Sequence, residues 1–207
     1  MHKTITCGIP LIVLVFLLGC DGDVTVPTNP ARNSAPKDIR PITTQPGDWP
    51  WWRGPTHDGI AATQSVPHRW SEDENILWKV AVPGKGHASP IVVEDRVFLP
   101  TANDENNTMS LLCYDRASGT LHWKKEIHRA PFMHMHKKNS QASATPAWDG
   151  KLVFTVFMID DGIFVTALDR EGDIVWQTRA GDFDSKHGYG SSPFLYKSLV
   201  IVNGDNQ

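Results

Sequence analysis

Four histidines are the residues of this chain whose type and placement suit chemistry: His87, His134, His136 and His187. Each stands upstream of a small-[Ser/Thr]-Pro word, the three words being Ala88-Ser89-Pro90, Ala144-Thr145-Pro146 and Ser191-Ser192-Pro193. Neutral imidazole is a ligand for zinc, copper, iron and nickel, so convergence on one rim would make a transition-metal or redox-cofactor site. Their spacing does not repeat, however: they precede the prolines by 3, by 12 and 10, and by 6 residues. The alternative is a set of polar loop residues that share a rim without sharing a ligand, since metal sites need matched geometry. Two of the chain's three cysteines join the inventory. Cys20 ends an N-terminal apolar run, and Cys113 lies in an apolar segment beside Leu112, where a small core residue is expected.

The elements that must position these groups show themselves by repetition. Tyr114–Trp123 reads YDRASGTLHW, and Leu168–Trp176 reads LDREGDIVW. Each copy runs from an apolar segment into an Asp (Asp115, Asp169), then a turn holding a Gly (Gly119, Gly172), then alternating residues up to a Trp (Trp123, Trp176). That pattern predicts a hairpin in which the Gly takes positive φ and the Asp bonds the turn backbone. The Trp is large enough to fill a gap between sheets, with its indole N–H free to find a carbonyl. The three [Ser/Thr]-Pro words each lead into a strand–turn–strand, with a period of about 50 residues, and periods of that size mean propellers, solenoids or arrays.

In these two words the chain resembles the pyrroloquinoline-quinone (PQQ) type repeat over residues 49–207. Trp49-Pro50-Trp51-Trp52-Arg53-Gly54-Pro55, followed by Asp58-Gly59, is similar to the opening of bacterial PQQ-like propeller proteins. The resemblance implies an all-β, quinoprotein-type β-propeller of four-stranded blades. Blade one is expected over 87–128, with strands near 89–93, 96–101, 109–115 and 120–127. Blade two is expected over 142–180, with strands near 143–148, 151–157, 163–169 and 173–179. A third opens at 190–196 and 199–203, so about two and a half blades of an incomplete ring are present, as in a truncated gene product. Ile76–Val82 repeats the end of the Trp hairpin, with Trp78 matching Trp123 and Trp176. It is expected to be a lone outer strand of a further blade. Asp149-Gly150 and Asp161-Gly162 read as hairpin turns. Leu199–Asn203 reads as an exposed apolar edge strand, with Val200 and Val202 as places where a charge would aid solubility.

The N-terminus reads as a targeting segment. A short basic start precedes the apolar run Ile5–Leu18, too short to span a bilayer comfortably and placed as a secretory h-region. Leu17-Leu18-Gly19-Cys20 is similar to the lipobox of bacterial lipoproteins, which implies a signal peptide over 1–19 and lipidation of Cys20. Residues 20–48 carry Pro27, Pro30, Pro36, Pro41 and Pro46 among polar residues, the composition of a semi-extended tether. The Trp49–Trp52 cluster is expected to plug the N-terminal segment against the sheets, a carbohydrate or partner platform being the other reading.

With Cys20 lipidated, Cys113 has no disulfide partner in the mature part. The net charge is −3, and Lys124-Lys125 and Lys137-Lys138 are the only basic pairs, which argues against a nucleic-acid partner. These features point to a lipid-anchored protein on the periplasmic side of the cell envelope, membrane-bound through Cys20 and offering a propeller to an envelope protein partner. The competing class is a quinone- or metal-dependent oxidoreductase. Quinoprotein dehydrogenases hold PQQ over a tryptophan floor, many with adjacent cysteines and a calcium ion. This chain has no adjacent cysteines and no recognisable calcium ligands, and PQQ enters only through the resemblance.

Overall fold

The computed structural model describes residues 41–62, 65–184 and 187–205. The expected signal peptide, Cys20 and most of the expected tether lie outside these residues. Ten strands and no helix occupy the described part. β1 (Ile91–Val93), β2 (Arg96–Asn103), β3 (Thr108–Asp115) and β4 (Leu121–Arg129) form one antiparallel sheet in chain order. β5 (Ala147–Trp148), β6 (Val153–Ile159), β7 (Gly162–Leu168) and β8 (Ile174–Asp182) form a second, and β9 (Phe194–Tyr196) with β10 (Leu199–Ile201) a third hairpin. These are two complete four-stranded blades and the first two strands of another, as the repeat predicts.

Alternation along the central strands explains how the blades stack. Successive side chains on a strand point to opposite faces. On β3, Met109, Leu111 and Cys113 join Phe157, Val153 and Leu168 of the second sheet in one core. Leu112 and Tyr114 point the other way, into a cluster that Trp78 partly covers. On the second sheet, Val156, Met158, Ile163 and Val165 face the third hairpin, meeting Tyr189 and the partly buried Val200 and Val202. A sheet buried on both faces needs apolar residues at nearly every position, which is why VFTVFMI and GIFVTAL carry no charge.

The two repeated words perform two different joints. Asp115 Oδ1 accepts bonds from the Ala117 and Ser118 amides at 3.1 and 2.7 Å, shaping a turn in which Gly119 has φ +71°. Asp169 Oδ1 does the same for Glu171 and Asp173 at 3.1 and 2.8 Å. Each turn then receives a Trp from the preceding repeat. Trp78 Nε1 donates to Arg116 O at 2.9 Å, and Trp123 Nε1 donates to Arg170 O at 3.0 Å. A Cβ on Gly119 would fall 2.6 Å from the Trp78 ring, and one on Gly172 would fall 2.9 Å from Trp123, so the indoles lie where any side chain would stand. The [Ser/Thr]-Pro words make the second joint. The Ser89 amide donates to Thr145 Oγ1 at 3.0 Å, and the Thr145 amide donates to Ser192 Oγ at 3.0 Å. The hydroxyls of Thr145 and Ser192 thus each accept the amide of the word before.

Three local expectations differ. Ile76–Val82 is not a strand and forms no ladder among the described residues; its Trp78 docks all the same. The β6–β7 turn is Asp160-Asp161, both at positive φ, not Asp161-Gly162. Gly162 instead begins β7, where a Cβ would meet the Arg179 guanidinium at 2.4 Å. Packing also starts ahead of Trp49. Asp48 is buried, its carboxylate accepting from the Glu94 and Gln45 amides at 2.8 and 2.7 Å, and Ile42 packs beside Trp51.

Candidate functional site

Antiparallel pairing sorts the connections onto two sides. The turns 94–95, 116–120, 149–152, 169–173 and 197–198 lie on one side, here the turn side. The loops that feed β1, β5 and β9, with the β2–β3 and β6–β7 turns, lie on the other, the loop side. The turn side is occupied with structure: Arg170 pairs with Glu94 at 3.0 Å and with Asp95, joining the second blade to the first. The long loops 130–146 and 183–193 belong to the loop side.

The N-terminal segment reaches that side along the inner strands. Trp49 exchanges backbone bonds with Val92 of β1 at 2.6 and 3.0 Å, and Pro50 O accepts from the Trp148 amide of β5 at 2.9 Å. Two inner edges are thereby covered instead of left open. Trp51 is 9% exposed, packed with Ala147, Phe154 and Leu195, whereas Trp52 is 51% exposed. His57 stacks on Trp51 at 4.9 Å with planes 8° apart, and meets Phe194 at 4.8 Å. Around this stack opens a cavity of about 360 Å³, lined among others by Trp52, His57, His87, Ser143 and Phe194. His57 escaped the sequence reading because it belongs to no repeated word; its only signal is its place in the Trp-rich opening.

The four predicted histidines do not converge. His87 lines that cavity, its amide bonded to Ala142 O at 2.9 Å. His136 and His187 come together from two loops, ring centroids 5.7 Å apart. His134 is exposed on the same loop as His136. Among the described residues, no three His, Cys, Asp or Glu side chains stand close enough to hold a metal ion together.

Two further groups are buried between the blades. Burial pushes the Cys113 thiol up to about 11, so it is held as an unreactive thiol in the core between the first two blades. His128, on β4, is edge-on to Phe157 at 6.1 Å and Phe164 at 5.3 Å across the blade interface. Burial holds it below the usual histidine range, and its Nε2 has no hydrogen-bond partner.

A family model described as outer membrane protein assembly factor BamB, of the PQQ-type repeat, matches residues 62–185 and again 107–207. The chain belongs to this family. No curated protein matches it. The two matches overlap with a shift of roughly one repeat, as expected when one unit recurs in register. The PQQ-type repeat is thus what Trp78, Trp123 and the three hydroxyl words build. Membership does not bring the quinone with it. That cofactor is a tricarboxylate, and none of the residues lining the 360 Å³ cavity is an arginine, lysine or carboxylate that could hold it or a calcium ion. The lining of this cavity does not fit PQQ.

Proposed function

We propose that this protein is a cell-envelope lipoprotein whose propeller serves as a binding or scaffolding surface for another envelope protein. Met1–Gly19 directs export, Cys20 carries the lipid, and the proline-rich stretch that follows serves as the tether. The propeller region beyond then presents its loop side to a protein partner on the periplasmic side of the membrane. Membership in a family described by an envelope assembly factor carries this reading. The division of labour between the two sides supports it. Asp, Arg and Trp of the repeats are consumed in joining blades, while the longer, non-repeating loops and the exposed Trp52 and Phe194 gather on the opposite side. Exposed aromatics beside polar groups suit protein recognition.

Expression of the full chain in a bacterial host with labelled palmitate tests the anchor. Label on the wild type, and Cys20→Ala protein that is unlabelled and moves from the detergent to the aqueous phase, are the expected results. Label retained on the variant would remove the lipid anchor from the account.

A further inference from the structure

His134 and His136 stand two residues apart in a stretch, Pro131–His136, that has neither helix nor turn. In extended backbone such residues project to one side. Both imidazoles are exposed, while Met133, of the opposite parity, packs against Val156, Ile163 and Tyr189. His187, from the loop ahead of β9, brings its ring to 5.7 Å from that of His136, with planes at 54°. Two imidazoles bound to one ion at 2.0–2.1 Å each would place their ring centres roughly 5–6 Å apart.

The two loops are fixed to one another. Asn139 Nδ2 donates to His187 O at 2.7 Å, and the Asn139 amide donates to His136 O at 2.8 Å. Gln141 Nε2 holds Met133 O at 2.8 Å. Gly188, at φ +76°, allows the approach: a Cβ there would meet that of Met135 at 2.9 Å.

We propose that His134, His136 and His187 form a three-imidazole site for a transition-metal ion of the copper, nickel and zinc group. His87 is not part of it. The His136–His187 pair supplies the preset half, and rotation of the exposed His134 side chain completes the set, which does not already stand at ligand distance. His136 Nδ1 accepts a long bond, 3.2 Å, from the Lys138 amide. An ion therefore binds either at Nδ1 in place of that amide or at Nε2 at the expense of the bond. Lys137 and Lys138 flank the site, which disfavours magnesium and calcium, ions held by charge and oxygen ligands. Ions that bind imidazole nitrogen remain. The inference is independent of the scaffold reading, since a metal here could order the loop side for any purpose.

The test titrates Cu(II) and Zn(II) into the untagged mature chain against a chromophoric chelator. One equivalent should bind with micromolar or tighter affinity, and nitrogen hyperfine structure should appear in the Cu(II) electron-spin spectrum. His136→Ala and His187→Ala should each weaken binding by at least about tenfold, His134→Ala less, and His87→Ala not at all. All four side chains are exposed, so unchanged metal-free thermal unfolding serves as the folding control. Affinity unchanged in both His136→Ala and His187→Ala, an equal loss in His87→Ala, or no binding tighter than millimolar in the wild type would each overturn the site.

Discussion

Trp123 fills the joint between the first two blades: it packs near Phe98 at 5.8 Å and spends its indole N–H on Arg170 O. Trp176 sits at the same position of the next repeat but is 36% exposed, with Phe154 as its aromatic neighbour. The two should therefore respond unequally. Trp123→Ala should cost about 3–5 kcal/mol in urea unfolding, the range for a large aromatic cavity, and Trp176→Ala distinctly less. Equal costs would mean that docking onto the next turn adds nothing. His128 makes a second residue-scale test. Its pKa is held below the ordinary value in the folded state, so as pH falls the unfolded chain takes up a proton first. Stability is then full above the unfolded value of about 6.5 and declines as pH drops below it. His128→Gln should flatten this loss between pH 7 and pH 5. Parallel pH profiles for wild type and variant would show that the decline arises elsewhere.

At the scale of elements, the [Ser/Thr]-Pro words are the joints to test. Thr145 is 1% exposed and both accepts from the Ser89 amide and donates its own amide to Ser192. Thr145→Val keeps the shape and leaves the Ser89 N–H without its acceptor, a loss of about 1–3 kcal/mol. Thr145→Ser should retain most of the stability; if valine were as good as serine, the belt of hydroxyls would carry no energy. Strand positions were legible because period-two alternation and the two words recur together, and the observed β2–β4 and β6–β8 lie within a few residues of their expected ranges. The face of a short strand was less legible. In Leu199–Ile201 the outward residues are Leu199 and Ile201, whereas Val200 packs against both the Tyr189 and the Trp51 clusters. Lysine is thus better placed at Leu199 or Ile201 than at Val200, because a three-residue strand offers too few alternations to fix its parity. Which histidines meet was not legible for a related reason: rim membership follows from topology, but which rings come together depends on loops that no repeat constrains.

At the scale of the molecule, the described residues put the blade joints on one side, and on the proposed function the other side is for recognition. The turn side holds the Asp turns, the docked indoles and the Arg170 ion pairs. The loop side holds the cavity with Trp52 and His57, and the His136–His187 pair. Family membership gives the propeller, and this asymmetry gives the side on which a partner is to be sought. The direct measurement is photo-cross-linking in cells expressing the full chain, with a benzoylphenylalanine probe placed either at Trp52 or Lys137 on the loop side, or at Ser118 on the turn side. The account predicts a discrete protein adduct from the loop-side probes, absent from the Ser118 probe and lost when Cys20→Ala releases the protein from the membrane. Adducts from Ser118 alone, or none from either loop-side probe in anchored protein, would contradict it.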